Sequence, residues 1–198
     1  MNYFIKQFGN PKGSIGRLLG KMMKYSNKKM HKGVLSEINS PGRILEIGFG
    51  SGSQLEMIYR HYPESELYGI EISEEMITMA EKNLEGKARL SLYDCCVMEF
   101  ENGFFDMVIT TDSCYFWSEP ENVLKEIKRI LKPSGRLILA YNSMYAKFVH
   151  DFDNSKSFRM YDSKTIKTAI DKAGMKLLSE KRCAYKQKVF TILVDEAV

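Results

Sequence analysis

Cysteine is scarce in this chain. The 198 residues hold four, Cys95, Cys96, Cys114 and Cys183. None lies in a C-x-x-C spacing and none has a neighbouring histidine, so no structural metal is expected. Residues 1–30 contain no sustained apolar core followed by a small-residue cleavage site, which argues against a secretory signal. The thiols are therefore expected to be reduced and to serve as small buried apolar residues. Long apolar runs are also missing: none approaches the roughly 18–20 residues that span a bilayer. A cytoplasmic location without membrane insertion is the resulting expectation. Histidine, a common general base, occurs only at His31, His61 and His150. There is no internal repeat and no low-complexity linker.

What is present fits one α/β domain. The hydrophobic share of 44% is ordinary for a globular chain and excludes disordered and collagen-like classes. The formal net charge of +4 is mild but uneven. Lys12, Arg17, Lys21, Lys24, Lys28, Lys29 and Lys32 crowd the first segment. Such a cluster attracts nucleic acid or anionic lipid. The same stretch also places Ile15, Leu18, Leu19, Met22 and Met23 at helical spacing with lysines largely between them. The reading favoured here is a helix, ending near His31, that packs its apolar side on the body of the protein.

Beyond that helix, strand and helix patterns alternate, which predicts a mainly parallel sheet covered on both faces. The strands are "RILEI" (Arg43–Ile47), "ELYGIEI" (Glu66–Ile72), "ARLSLY" (Ala88–Tyr93), "FDMVITT" (Phe105–Thr111) and "RLILAY" (Arg136–Tyr141). Helices are expected over Ser53–His61, from an N-cap at Ser73 to Asn83, and over Glu119–Leu131. "KPSG" (Lys132–Gly135) reads as a turn. Residues 142–161 are irregular and aromatic, and a helix from Asp162 or Ser163 stops at Gly174. Strands near Met175–Cys183 and Lys188–Val194, joined by the short "AYKQ", predict an antiparallel hairpin at a sheet edge. Seven strands result.

The first strand runs into "GFGSG", with Gly48, Gly50 and Gly52 at alternate positions, and straight on into a helix. Glycine there permits positive φ and leaves the backbone open to close approach, while the helix start offers unpaired N–H groups. In an open parallel sheet that position binds ligands, and a nucleotide-like ligand is expected. Ser53 stands where the dinucleotide fingerprint requires its third glycine, and no G-K-[ST] closes a phosphate loop. Glu71, about twenty residues on at the end of the second strand, is placed to accept hydrogen bonds from both ribose hydroxyls.

Together "LEIGFGSG", "YGIEIS", "LYDCC" and "FDMVITT…EIKRILKPSGRLIL", in order and at family spacing over roughly residues 42–142, resemble the class I S-adenosylmethionine-dependent methyltransferases. The similarity is to the small-molecule-directed, type 11-like group and, through "PKGSIGR", "IGFGSG" and "CYFW", to bacterial members. The resemblance implies a Rossmann-like fold over residues 1–198 as a single methyltransferase domain. Residues 1–40 would be a helical cover, 42–142 the cofactor core, 143–161 an aromatic lid and 162–198 a closing helix and hairpin. It implies S-adenosylmethionine as cofactor and S-adenosylhomocysteine as product. Glu46 and the backbone of Gly48, Phe49, Gly50 and Gly52 would face the methionine part, Glu71 the ribose and Ile72 the adenine face. Asp94 would meet the adenine amino group, the Cys95 N–H a ring nitrogen, and Thr111 would lie under the sulfonium. Ser134 departs from the usual K-P-G-G turn, away from the cofactor.

For such chemistry the protein mainly aligns a nucleophile and excludes water, and a base is needed only if the acceptor must lose a proton. The candidates are Asp112, just past the fourth strand, and His150 in the aromatic insertion; His31 could also reach the pocket, whereas His61 is remote. Tyr115, Phe116 and Trp117 leave the reactive edge and are expected to line the acceptor site with Asn142 and Asn27. A modest-sized, partly apolar or aromatic small-molecule acceptor is expected, and no nucleic acid. A protein or nucleic-acid substrate recruited by the lysines, a non-catalytic binder of the cofactor, and a nicotinamide-dependent oxidoreductase are the alternatives.

Overall fold

The computed structural model describes residues 10–142, 159, 161–185 and 188–197. Two helices, α1 (Gly13–Ser26) and α2 (Lys28–Leu35), precede a sheet. The chain then runs β1 (Arg43–Ile47), α3 (Ser53–His61), β2 (Glu66–Glu71), α4 (Glu74–Leu84), β3 (Arg89–Leu92) and β4 (Phe105–Thr111). A 3-10 turn at Cys114–Phe116 leads to α5 (Pro120–Ile130), β5 (Leu131–Tyr141), α6 (Ser163–Lys172), β6 (Met175–Tyr185) and β7 (Lys188–Ala197).

The seven strands form one sheet in the order β3-β2-β1-β4-β5-β7-β6. Only β7 runs against the others, between β5 and β6. This is the Rossmann-like arrangement with an antiparallel terminal hairpin. The interior strands are continuous apolar runs because both faces of the sheet are covered. Successive residues accordingly split between two cores. Leu45, Val108, Leu137 and Leu139 meet Val123, Leu124 and Ile127 of α5 and Ile166 and Ile170 of α6. Ile44, Ile109 and Ile138 meet Val34 of α2, Leu55 and Ile58 of α3, and Ala80 and Leu84 of α4. Local signals agree with these positions: the Ser73 hydroxyl accepts the Met76 N–H at 3.3 Å, and Glu74 and Glu75 fill the positive first turn of α4.

Four expectations are corrected by the fold. The N-terminal helix is two helices, broken at Asn27. Its apolar stripe is not wholly packed: Leu18 and Met22 are 61% and 59% exposed. The helix approaches α4 by its glycines instead, since a Cβ on Gly20 would stand 3.0 Å from the Met76 methyl. "KPSG" lies within β5, where Leu131 pairs with Phe105 and Arg136 with Met107, so residues 132–135 bulge out around Ser134 at φ +62°. The cysteines differ from one another: Cys114 is buried and Cys96 exposed. Most of the expected lid, including His150, lies outside the described residues. Its end is tied down, with the Arg159 N–H donating to Tyr115 O at 2.8 Å and the Tyr161 hydroxyl to Trp117 O at 2.7 Å.

Candidate functional site

The strand order reverses beside β1, which has β2 on one side and β4 on the other. Chains leaving the carboxyl ends of those strands diverge, and a crevice opens between them. A cavity with about 1030 Å³ of empty space, counting its mouth, lies there. Sheet order lines up its walls: Asp94 beyond β3, Glu71 and Ile72 at β2, Glu46 to Ser51 at β1, and Thr111 to Ser113 at β4. Three strand spacings make that row about 14 Å long, suited to an elongated ligand.

The glycine turn is shaped by three positive φ values, +71°, +53° and +74° at Gly48, Gly50 and Gly52. The last two serve different purposes. A Cβ on Gly50 would meet nothing within 4 Å, and Gly50 lines the cavity. A Cβ on Gly52 would stand 3.0 Å from Ala80 Cβ and Leu84 Cδ1, so Gly52 lets α3 pack on α4. Phe49 lines the cavity, but its ring is core: a Cβ on Gly69 would fall 2.5 Å from Phe49 Cδ1.

Two buried carboxylates face the turn. Glu71 Oε2 accepts the Gly50 N–H at 3.1 Å, and Oε1 accepts Ile72 N–H at 2.8 Å and Ser73 N–H at 3.2 Å. Burial raises its pKa, opposed by those three N–H groups. Glu46 Oε2 is buried with no hydrogen-bond partner. Burial, reinforced by the neighbouring Glu71, holds the Glu46 carboxyl well above the usual carboxylate range. An orphan oxygen in a doubly acidic pocket favours a cationic ligand.

At the β4 end the chain turns sharply at Asp112, whose φ is +54°. Its Oδ1 accepts the Tyr115 hydroxyl at 2.9 Å and the Asn142 N–H at 3.1 Å. Thr111 Oγ1 donates to Gln54 Oε1 at 2.9 Å, linking β4 to α3. Asn27 and His31 of the N-terminal segment and Phe116 and Trp117 after β4 also line the cavity. His31 is buried, which pushes its pKa down to about 4 and leaves a neutral imidazole at neutral pH.

Residues 45–139 match the family model described as a methyltransferase domain. Residues 45–139 form a class I S-adenosylmethionine-dependent methyltransferase domain. It is 27% identical over 122 residues to the Bacillus subtilis methyltransferase YdaC, covering 60% of this chain and 67% of that protein. It is 27% identical over 125 residues to the demethylmenaquinone methyltransferase of Thermotoga maritima, covering 63% of this chain and 54% of the relative. The chain thus spans about half to two thirds of the length of these curated relatives. Among solved structures, a chain of the complex between the Haloferax volcanii Trm112 activator and a methyltransferase superposes with a TM-score of 0.82. That match has 18% identity and covers 90% of this chain and 92% of the other. The Streptomyces coelicolor geranyl diphosphate C-methyltransferase, solved with S-adenosylhomocysteine, gives a TM-score of 0.74 at 11% identity, covering 86% and 76%.

The cofactor of this methyltransferase class is S-adenosylmethionine, and the cavity suits it. The unpartnered Glu46 oxygen calls for a cation and Gly50 leaves the turn open. Ile72, 43% exposed, offers an apolar surface inside the cavity. Of the residues expected at the site, Glu46, Gly48, Phe49, Gly50, Glu71, Ile72, Asp94, Cys95, Thr111, Asp112, Phe116, Trp117 and Asn27 line one cavity. Gly52, Tyr115 and Asn142 do not. Gly52 is packed against α4, and the other two are buried in the network under Asp112, with the Tyr115 hydroxyl 3.0 Å from Asn142 O. Ser51, Ser53, Met76, Tyr93 and Ser113 line the cavity without having been anticipated. Alternating apolar pattern identified the elements, but gave no sign of which small polar neighbours turn inward.

Proposed function

We propose that this methyltransferase transfers the methyl group of S-adenosylmethionine to a small, largely apolar molecule. The observation that carries this reading is a cavity lined both by two buried carboxylates, Glu46 and Glu71, and by Phe116, Trp117 and the His31 imidazole. In it Glu46 receives the ammonium of the cofactor's amino-acid part through its orphan oxygen, and the backbone of the glycine turn borders that part. Glu71 retains lone pairs for the ribose hydroxyls, Ile72 covers the adenine face, and Asp94 and the Cys95 N–H address its polar edge. Thr111 stands at the methyl-bearing end. The bound cofactor supplies a carbon already activated by its positively charged sulfur.

The remaining work is orientation and exclusion of water. Phe116 and Trp117 offer flat apolar contact to an acceptor ring, and Asn27 supplies a hydrogen-bonding amide. His31 is neutral, so it accepts or donates one hydrogen bond to the acceptor but is too weakly basic to hold a proton near neutral pH. Asp112 is already bonded to Tyr115 and Asn142, and its role is to fix the wall. An apolar acceptor accords with relatives named for quinone substrates, among them the demethylmenaquinone methyltransferases. The test is transfer of radiolabelled methyl to a panel of quinols, phenols and amines. Transfer to an apolar ring at rates independent of salt supports the reading. Transfer confined to protein or nucleic acid rejects it.

A further inference from the structure

We propose that α1 is an interfacial helix that docks this protein on an anionic lipid surface. Leu18, Met22 and Tyr25 are 61%, 59% and 81% exposed, and their spacing places them on one helical face. The opposite face is already used: Gly16 is buried against Pro11 and Gly20 against Met76. A helix that meets α4 at Gly20 therefore carries Leu18, Met22 and Tyr25 on its outward side. Single exposed apolar residues are unremarkable, but three on one face of one helix form a patch.

The charge around the patch identifies its partner. Residues 1–36 contain eight of the chain's 29 lysines and arginines and no aspartate or glutamate. The other 21 cations stand against 25 acids, so the remainder of the chain is net negative. Lys12, Arg17, Lys28, Lys29 and Lys32 are exposed. Arg17 also bonds Glu75 at 2.9 Å, which pins α1 to α4. Exposed apolar side chains in a cationic N-terminal segment fit the boundary between lipid headgroups and acyl chains, where lysine stems extend along apolar surface towards phosphate. A nucleic-acid backbone would use the cations but would leave Leu18, Met22 and Tyr25 in water. Acidic headgroups complement both features. The cavity lies on the far side of the same cover, which reaches it through Gly20, Asn27 and His31.

The full chain is tested by co-sedimentation with vesicles of phosphatidylcholine alone and of equimolar phosphatidylcholine and phosphatidylglycerol. It should pellet with the anionic vesicles and stay in solution with the neutral ones. The triple variant L18S/M22S/Y25S should partition about tenfold less or weaker, with unchanged melting temperature and S-adenosylhomocysteine binding. Trp117, the chain's only tryptophan, is buried, so Tyr25→Trp adds a reporter whose emission should shift to the blue with anionic vesicles. The proposal is overturned if the wild type does not pellet with anionic vesicles, if the triple variant partitions equally well, or if the Tyr25→Trp emission is unmoved. It is equally overturned if an RNA oligonucleotide binds this face more tightly than anionic vesicles do.

Discussion

Glu71 at the end of β2 and Gly50 in the turn after β1 are joined directly, the carboxylate accepting the glycine N–H at 3.1 Å. The residue proposed to hold the ribose therefore also sets the turn proposed to border the methionine part. One carboxylate orders two subsites. Glu71→Gln should weaken S-adenosylhomocysteine binding roughly 10–100-fold, since a charge-assisted hydrogen bond contributes about 1.5–3 kcal/mol. Isothermal calorimetry measures this, and undiminished affinity would show that Glu71 does not contact the ligand.

The two glycines flanking Ser51 should separate binding from stability. Gly50→Ala places a methyl group at the cavity without a clash, so it should cost only about 1 kcal/mol of stability for its φ of +53° and should reduce product affinity. Gly52→Ala forces Cβ to 3.0 Å from Ala80 and Leu84 and should lower unfolding free energy by about 1–3 kcal/mol. Urea denaturation of both variants beside calorimetry makes the comparison.

Glu46 predicts a proton linkage. Its carboxyl is raised by burial and by Glu71 in the free protein, whereas a bound ammonium favours the ionised form. Binding therefore releases a proton, and product affinity should rise with pH above the ordinary carboxylate range, then level off once pH exceeds the raised pKa. Calorimetry in two buffers of different ionisation enthalpy reads the proton directly. Glu46→Gln should abolish the release.

A third buried acid lies away from the residues that line the ligand cavity. Asp195 on β7 is fully buried with neither oxygen hydrogen-bonded, and burial raises its pKa from 3.8 to about 7. The folded state thus holds a proton that the unfolded state loses at lower pH. The contribution of Asp195 to stability is greatest below about pH 4, falls as pH rises towards 7, and is level above it. The loss is on the order of a few kcal/mol. Asp195→Asn should flatten this part of the pH–stability curve, as thermal melts between pH 4 and 8 would show.

The fully buried Tyr115 hydroxyl lies within donating reach of Asp112 Oδ1 and of the Asn142 carbonyl, and accepts the Asn142 N–H. Tyr115→Phe should cost about 1–3 kcal/mol by removing the buried hydroxyl that Asp112 and Asn142 share. It should also lower turnover through the altered Asp112 wall, with a smaller effect on product affinity. Unchanged turnover in a destabilised variant would confine Tyr115 to a structural role.

Periodicity alone revealed the alternating elements, because parallel strands buried on both faces and amphipathic helices leave strong patterns. The order of glycines and acids after β1 and β2 indicated a ligand at their ends, and strand order brought Glu46, Glu71, Asp94 and Thr111 to one cavity as expected. Nearest-neighbour geometry was not legible in the same way. The alternation of Gly48, Gly50 and Gly52 does not say which one faces a ligand and which one faces Ala80. "CYFW" does not say that Tyr115 turns inward to Asp112 while Phe116 and Trp117 reach the cavity. Nor does the apolar spacing of α1 reveal that Gly16 and Gly20 form its inner face and leave Leu18 and Met22 in solvent. Pattern determines which residues tend to be buried along an isolated element. Only the packed structure decides which neighbour each one meets, because close approach of backbones selects the smallest side chains and turns larger ones elsewhere.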